Sequence, residues 1–147
     1  GANLVPDPAF KKADLKPPFE DTTWRWYQIE TPSEVALQDG AIQMKGKETF
    51  LHSSPFEVEP GKTYSISVDA EGDANVSIEV LWWEKYTDDS ISTASPHWVV
   101  ARKPVKVTKT TKVTAEAEAP KNAHKAYIRI VTEDGTATIS NPQVSAK

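Results

Sequence analysis

The sequence contains no cysteine, so disulfide bonds and thiolate metal sites are excluded. It also contains no apolar run of roughly 18 residues, the length that a membrane-spanning helix needs. Basic residues are in the minority, because 17 lysines and arginines stand against 21 aspartates and glutamates, which gives a net charge of −4. A nucleic-acid-binding domain usually presents a basic face. We therefore expect neither a nucleic acid nor a membrane as a partner.

Helical periodicity is equally scarce. Only the segment PSEVALQ, residues 32–38, is compatible with a helical turn, with Ser33 as its N-cap and Glu34 in its first turn. No other segment repeats apolar residues at the i, i+3, i+4 spacing over the length of a helix. The chain is therefore predicted to be almost entirely β-structure.

Sequence motifs for catalysis and metal binding are missing as well. The three histidines, His52, His97 and His124, lie far apart and show none of the spacings that pair histidine ligands on one metal ion. Nucleophile-elbow, P-loop and dinucleotide-binding patterns are absent. We interpret the histidines as surface or edge residues, and we expect a protein that is not an enzyme.

The sequence is rich in a different pattern, the alternation of apolar and polar residues that indicates β-strands. The clearest example is ANVSIEVLWW, residues 74–83, whose even positions are apolar and include Trp82. Its odd positions carry Ser77, Glu79 and Trp83, among others. Neighbouring side chains of a strand point to opposite faces, so the two adjacent tryptophans must occupy different environments.

Turn residues divide the alternating segments into eight or nine short strands. Gly72, in the turn EGDA, predicts a hairpin between the strands that begin near Tyr64 and Val76. Asp134 and Gly135 predict a second hairpin in the same way. Many short strands separated by turns are typical of an antiparallel sandwich or barrel. Neither an internal repeat nor a linker is evident, so residues 1–147 are predicted to form a single domain.

Four segments, in this order and spacing, resemble the galactose-binding-like β-sandwich of carbohydrate-binding modules. The segments are NLVPDPAF (3–10), DGAIQMKG (39–46), FEVEPGKTYSISVDAEG (56–72) and HKAYIRIVTEDGTATISNPQVS (124–145). The resemblance covers nearly the whole chain and is to the modules attached to bacterial glucanases and xylanases. It implies an all-β, antiparallel jelly roll that binds a polysaccharide or oligosaccharide without catalysis. It also implies a monomeric module, secreted or at the bacterial cell surface, that is fused to a catalytic domain.

Members of this family often hold a structural calcium ion with an acidic residue after the early phenylalanine and an Asp-Asn pair in the last strand. In this sequence Lys11 follows Phe10, and Ser140 precedes Asn141 in the closing strand. Two negatively charged oxygen ligands are therefore missing, and calcium favours several such ligands. Asp7, Asp14 and backbone carbonyls are the remaining oxygens, so a structural calcium is a doubtful expectation and no cofactor is required.

In such modules aromatic rings lie against the apolar faces of sugars, while polar side chains meet the hydroxyl groups. Trp82 continues the apolar face of its strand and is predicted to lie in the core. Trp83 shares the opposite face with Glu79, which suggests a platform beside a hydrogen-bond acceptor. The polar loop EKYTDDSISTASP, residues 84–96, follows directly. Tyr86 and Trp98 bracket this loop and are further candidates, because long loops at the ends of rigid strands often bind ligands.

The segment TTWRWYQIE leaves two alternatives open. If Trp24 and Trp26 face the core, Arg25 and Tyr27 point outward and are available to a ligand. If the register is reversed, as a single bulge would achieve, the two tryptophans become the platform. In the closing segment, Tyr127 and Arg129 lie opposite the apolar face, where they either contact a ligand or form a solvated strand surface.

The sequence thus predicts a sugar-binding surface. Its predicted members are Arg25, Tyr27, Glu79, Trp83, Tyr86, Trp98, Tyr127 and Arg129. Two alternatives from other functional classes remain. The first is a spacer or protein-interaction sandwich without a glycan site, in which all five tryptophans would be buried. The second is a small glycan-cleaving enzyme that uses Asp88, Asp89 or Glu79 as acid and base.

Overall fold

The computed structural model shows a chain of β-strands joined by turns. It describes the backbone of residues 2–17, 19, 21–87, 90–91, 97–98 and 104–147, and the side chains of the same residues except 27–32, 85–87, 90–91 and 97–98. Within these ranges, no helix is long and apolar enough to cross a membrane.

The described part of the chain contains nine strands, of which four are long. In chain order they are β1 (Trp24–Gln38), β2 (Ala41–Ser53), β3 (Phe56–Glu57), β4 (Thr63–Thr87), β5 (Ser90–Ile91), β6 (His97–Trp98), β7 (Val105–Val107), β8 (Thr111–Glu118) and β9 (Ala123–Ala146). Residues 32–38, whose sequence is compatible with a helical turn, belong instead to β1. Pairing with β2 satisfies its backbone and outweighs a weak local preference.

The centre of the fold is an antiparallel pair formed by β4 and β9, which runs from Tyr64 opposite Ala146 to Glu84 opposite Ala123. Strand β2 lies on the far side of β9, and β1 forms the edge beyond β2. The other edge of β4 is covered in succession by β8, β7 and β6. The fold is therefore antiparallel throughout these pairings, as the sequence predicts.

The two predicted hairpins are wrong, because β4 continues through Gly72 and β9 continues through Gly135. A Cβ atom on Gly72 would overlap the carbonyl oxygen of Thr136, and one on Gly135 would overlap that of Asp73. The glycines therefore let the two strands approach closely where their register shifts between Asp73 and Asn75. Bulges and glycine bends allow strands to turn corners without ending.

These bends divide the sheet into two layers. We call layer A the part formed by residues 33–38, 41–46, 63–72, 111–118 and 136–146, and layer B the part formed by residues 24–28, 48–53, 75–84 and 123–133. Side chains from both layers bury into one contiguous core. Its largest fully buried members include Trp24, Trp82, Phe10, Ile42, Met44, Leu51, Ile66, Ile128, Ile130 and Ile139. The two layers thus enclose the core as a β-sandwich.

Candidate functional site

A row of polar side chains crosses the outer face of layer B. Arg25 on β1 lies opposite His52 on β2, His52 lies opposite Arg129 on β9, and Arg129 lies opposite Glu79 on β4. Directly opposed residues of antiparallel strands project from the same face. Four separate strands therefore bring these four residues into one line. The sequence predicts three of them, Arg25, Glu79 and Arg129, as ligand contacts.

Glu79 and Arg129 form an ion pair within this row. The Arg129 Nε donates to the Glu79 Oε2 over 2.7 Å, and the two side chains are only 11% and 3% exposed for Arg129 and Glu79 respectively. The guanidinium carbon of Arg129 also lies 4.3 Å from the centre of the Phe50 ring, a cation–π distance. Both residues predicted as sugar contacts are thus held beneath the surface, where each neutralises the other.

His52 lies between the two arginines and packs against an aromatic ring. Burial and the positive charges of Arg129 and Arg25 lower the pKa of His52 from 6.5 to about 4, so the imidazole is neutral near pH 7. Its ring stacks on Tyr127 at a centroid distance of 5.5 Å, and Trp83 meets Tyr127 edge to face at 6.4 Å. Three rings thus form one aromatic cluster on the outer face of layer B.

A pocket opens beside this cluster. Its volume is about 320 Å³, and it is lined by Arg25, His52, Ser53, Ser54, Pro55, Trp83 and Tyr127. This size is at the lower end of the roughly 300–1,000 Å³ that is usual for small-ligand sites. An exposed arginine beside aromatic rings offers a donor for a hydroxyl or an anion, together with apolar surface for a ring.

The pocket exists because the chain leaves β2 before it begins β3. At this break the Ser53 Oγ accepts a hydrogen bond from the Ile128 N–H, replacing a strand carbonyl, and donates to the Ser54 carbonyl. The Ser54 hydroxyl donates to the Thr23 carbonyl. Both serine hydroxyls therefore hold the pocket wall in place.

The tryptophans with described side chains fall into three environments. Trp24 and Trp82 are fully buried. For Trp82 this is the predicted position, and for Trp24 it is the alternative in which the tryptophan faces the core. Trp26 is half-buried, packs against the core and donates from Nε1 to the Leu15 carbonyl at 2.6 Å. Trp83 is half-buried and lines the pocket. The adjacent pair Trp82 and Trp83 is thus divided between core and pocket.

The structure brings three of the eight predicted site residues, Arg25, Trp83 and Tyr127, to the pocket wall. Tyr27 and Trp98 are described by their backbones alone, which lie opposite Phe50 and Leu81 respectively. Tyr86 lies on β4, and its side chain is outside the described part, as are both residues of the acidic pair at positions 88–89.

Four pocket residues were missed by sequence reasoning, namely His52, Ser53, Ser54 and Pro55. His52 is predicted to be a surface or edge residue, whereas it lies on β2 between β1 and β9, is half-buried and lines the pocket. The available signal was the run HSSP, in which proline and serines end an alternating strand. Here the chain between the end of β2 and the start of β3 supplies Ser54 and Pro55 to the pocket wall.

Near the chain start, the Asp7 carboxylate is engaged in hydrogen bonds within the chain. Among the described residues, no group of three or more histidine and acidic side chains could hold a metal ion. The Asp7 carboxylate accepts hydrogen bonds from the N–H groups of Lys11 and Lys12 and from the Thr23 hydroxyl. Burial would raise the pKa of Asp7, but these hydrogen bonds outweigh burial and lower it. Asp7 therefore acts here as an acceptor that fixes the early loop.

Comparison with solved structures defines the class of fold. No protein-family model matches the sequence, and no curated protein matches it. By structure, the chain has the β-sandwich fold of carbohydrate-binding modules, as its sequence predicted.

Three solved structures illustrate the similarity. A CBM4 carbohydrate-binding module aligns with a TM-score of 0.69 and 16% identity, over 97% of this chain and 99% of that one. The TmCBM61 module, solved with β-1,4-galactotriose, aligns with a TM-score of 0.60 and 15% identity, over 100% of both chains. The enzymatically active domain of tailspike protein 4 from bacteriophage CBA120 aligns with a TM-score of 0.70 and 12% identity, over 99% of this chain. The chain spans only 21% of that tailspike chain.

Proposed function

We propose that the chain is a non-catalytic module that binds a polysaccharide or oligosaccharide at the pocket on the outer face of layer B. The observation that carries this proposal is the aromatic cluster of His52, Trp83 and Tyr127 beside the exposed Arg25. Apolar faces of pyranose rings pack well on aromatic side chains, and the arginine can donate several hydrogen bonds to sugar oxygens. The sugar complex of the similar TmCBM61 module supports this reading.

We further propose that the module belongs to a longer, secreted or cell-surface bacterial chain that acts on glycans. The fold occurs within the much longer tailspike chain, which supports a modular arrangement. A binding module tethered to a catalytic domain raises that domain's local concentration on the polymer. In this proposal the module acts as a monomer, requires no cofactor and cleaves no bond itself.

Affinity gel electrophoresis against soluble β-glucans, xylans, mannans, pectins and algal glycans tests the proposed function. At least one polymer should retard the parent protein, and Trp83→Ala should abolish most of that retardation because it removes a ring from the pocket wall. Leu37→Ala is the matched control, because Leu37 is an exposed apolar side chain, 48% accessible, in layer A. Unchanged retardation of the folded Trp83→Ala variant, or no retardation of the parent by any polymer, would contradict the proposal.

A further inference from the structure

The pocket carries positive charge on a protein that is acidic overall. Of its seven lining residues, Arg25 is charged, His52 is held neutral, and none is acidic. The nearest carboxylate in the cross-strand row is Glu79, which is buried and already bound to Arg129. The row thus combines two arginines with one carboxylate, and a single positive charge is left over. The chain as a whole has a net charge of −4.

That remaining charge belongs to Arg25. Its side chain is exposed at the edge strand β1 and forms no ion pair with any residue in the described part of the chain. Three lysines at the described surface, Lys106, Lys112 and Lys147, have acidic partners within 3.0 Å. Arg25 therefore lacks the acidic neighbour that these surface cations have.

The lowered pKa of His52 reflects, besides burial, the charges of these same two arginines, Arg129 and then Arg25. The positive potential that disfavours a proton on His52 favours an anion in the pocket that Arg25 and His52 line. A planar guanidinium can donate two parallel hydrogen bonds to a carboxylate, in bidentate geometry. A hydroxyl group occupies only part of the guanidinium's set of donors.

We propose, building on the sugar-binding function above, that the pocket selects a sugar residue bearing a carboxylate, a uronic acid. Trp83 and Tyr127 contact the ring of this residue, and the Arg25 guanidinium binds its carboxylate. The ligand class is therefore an acidic polysaccharide or its oligosaccharides. Neutral glycans of the same backbone bind more weakly, because they leave the arginine solvated and unpaired.

Calorimetric titration with matched ligand pairs tests this selectivity. The probes are glucuronoxylan and polygalacturonate oligosaccharides, each compared with its carboxyl-reduced form. At least one acidic probe should bind about tenfold more tightly than its reduced form, in line with a charge-assisted hydrogen bond. Arg25→Gln should remove this preference, and Arg25→Lys should retain part of it. Added salt should weaken binding of the acidic probe more than that of the reduced one.

Lys112→Gln is the matched control. It changes the net charge by the same amount as Arg25→Gln, but Lys112 lies in layer A, where it pairs with Asp69 at 3.0 Å. This variant should keep the preference for the acidic probe. Equal losses in the two variants would overturn the inference, because long-range charge alone would then account for the preference.

The remaining outcomes separate this inference from the proposed function. If the acidic and reduced probes bind equally, and Arg25→Gln leaves both unchanged, the selectivity is overturned while sugar binding stands. If no probe and no polymer of the wider panel binds the parent, sugar binding itself fails, and the selectivity fails with it. Unfolding midpoints close to that of the parent would show that loss of binding in a variant does not reflect loss of fold.

Discussion

At the scale of single residues, the buried ion pair of Glu79 and Arg129 joins the two central strands beneath the pocket. Glu79→Gln should destabilise the fold by about 3 kcal/mol, because it leaves the Arg129 charge buried without its carboxylate. Glu116→Gln is the control, since Glu116 forms an exposed pair with Lys147 and its loss should cost less than about 1 kcal/mol. Urea unfolding at pH 7 measures both, and equal small losses would contradict the structural importance of the buried pair.

The neutral state of His52 makes a second prediction at this scale. Its pKa is about 4 in the folded chain and 6.5 in the unfolded chain, so between these values only the unfolded state binds the proton. Stability should therefore fall as the pH decreases from about 6.5 to about 4, by up to roughly 3 kcal/mol from this group. Below about pH 4 both states are protonated, and His52 contributes no further loss.

Urea unfolding of the parent and of His52→Gln at pH 7.0, 5.5 and 4.5 checks this dependence. The variant should lose less stability than the parent over this interval, because glutamine does not titrate. Carboxylates such as Asp7 and Asp69, whose pKa values hydrogen bonds lower, affect both proteins alike. Identical pH profiles for the two proteins would contradict a lowered His52 pKa.

At the scale of structural elements, the long strands β4 and β9 are the feature that sequence reasoning represented least well. The alternation of residues 74–83 correctly predicted Trp82 inside and Trp83 outside. The sequence predicts hairpin turns at Gly72 and Gly135, because a glycine in a polar segment usually marks a turn. A bend in a continuous strand also requires glycine, because a second backbone approaches too closely for a side chain. Only the pairing of the strands in the folded chain distinguishes such a bend from a hairpin turn.

The bend itself is testable. Gly135→Ala should destabilise the fold by about 3 kcal/mol, because its Cβ would meet the Asp73 carbonyl oxygen and its φ of 157° is rare for residues with a side chain. Gly61→Ala should cost about 1 kcal/mol, since its positive φ is strained but no atom lies within 4 Å of the added carbon. Comparable unfolding midpoints for the two variants would argue against a tight contact between β4 and β9.

At the scale of the whole molecule, the all-β sandwich could be predicted because alternation and turn residues are local signals. The site was only partly predictable. Strand parity, which the sequence reveals, places Trp83 and Tyr127 at the pocket, whereas the sequence left the facing of Arg25 open between two registers. The burial of Glu79 depends on its pairing with Arg129 fifty residues later, and the pocket depends on the break at Ser54 and Pro55. Neither of these is encoded in a local pattern.

The central claim is that the outer face of layer B binds sugar, and backbone amide chemical-shift mapping by NMR tests it most directly. The titrant is an oligosaccharide of whichever polymer retards the protein. The account predicts that the largest shifts fall at Arg25, Ser54, Trp83 and Tyr127. Amides of the outer face of layer A, such as Ser67, should remain unshifted. Shifts concentrated on layer A, with the pocket unaffected, would contradict the account.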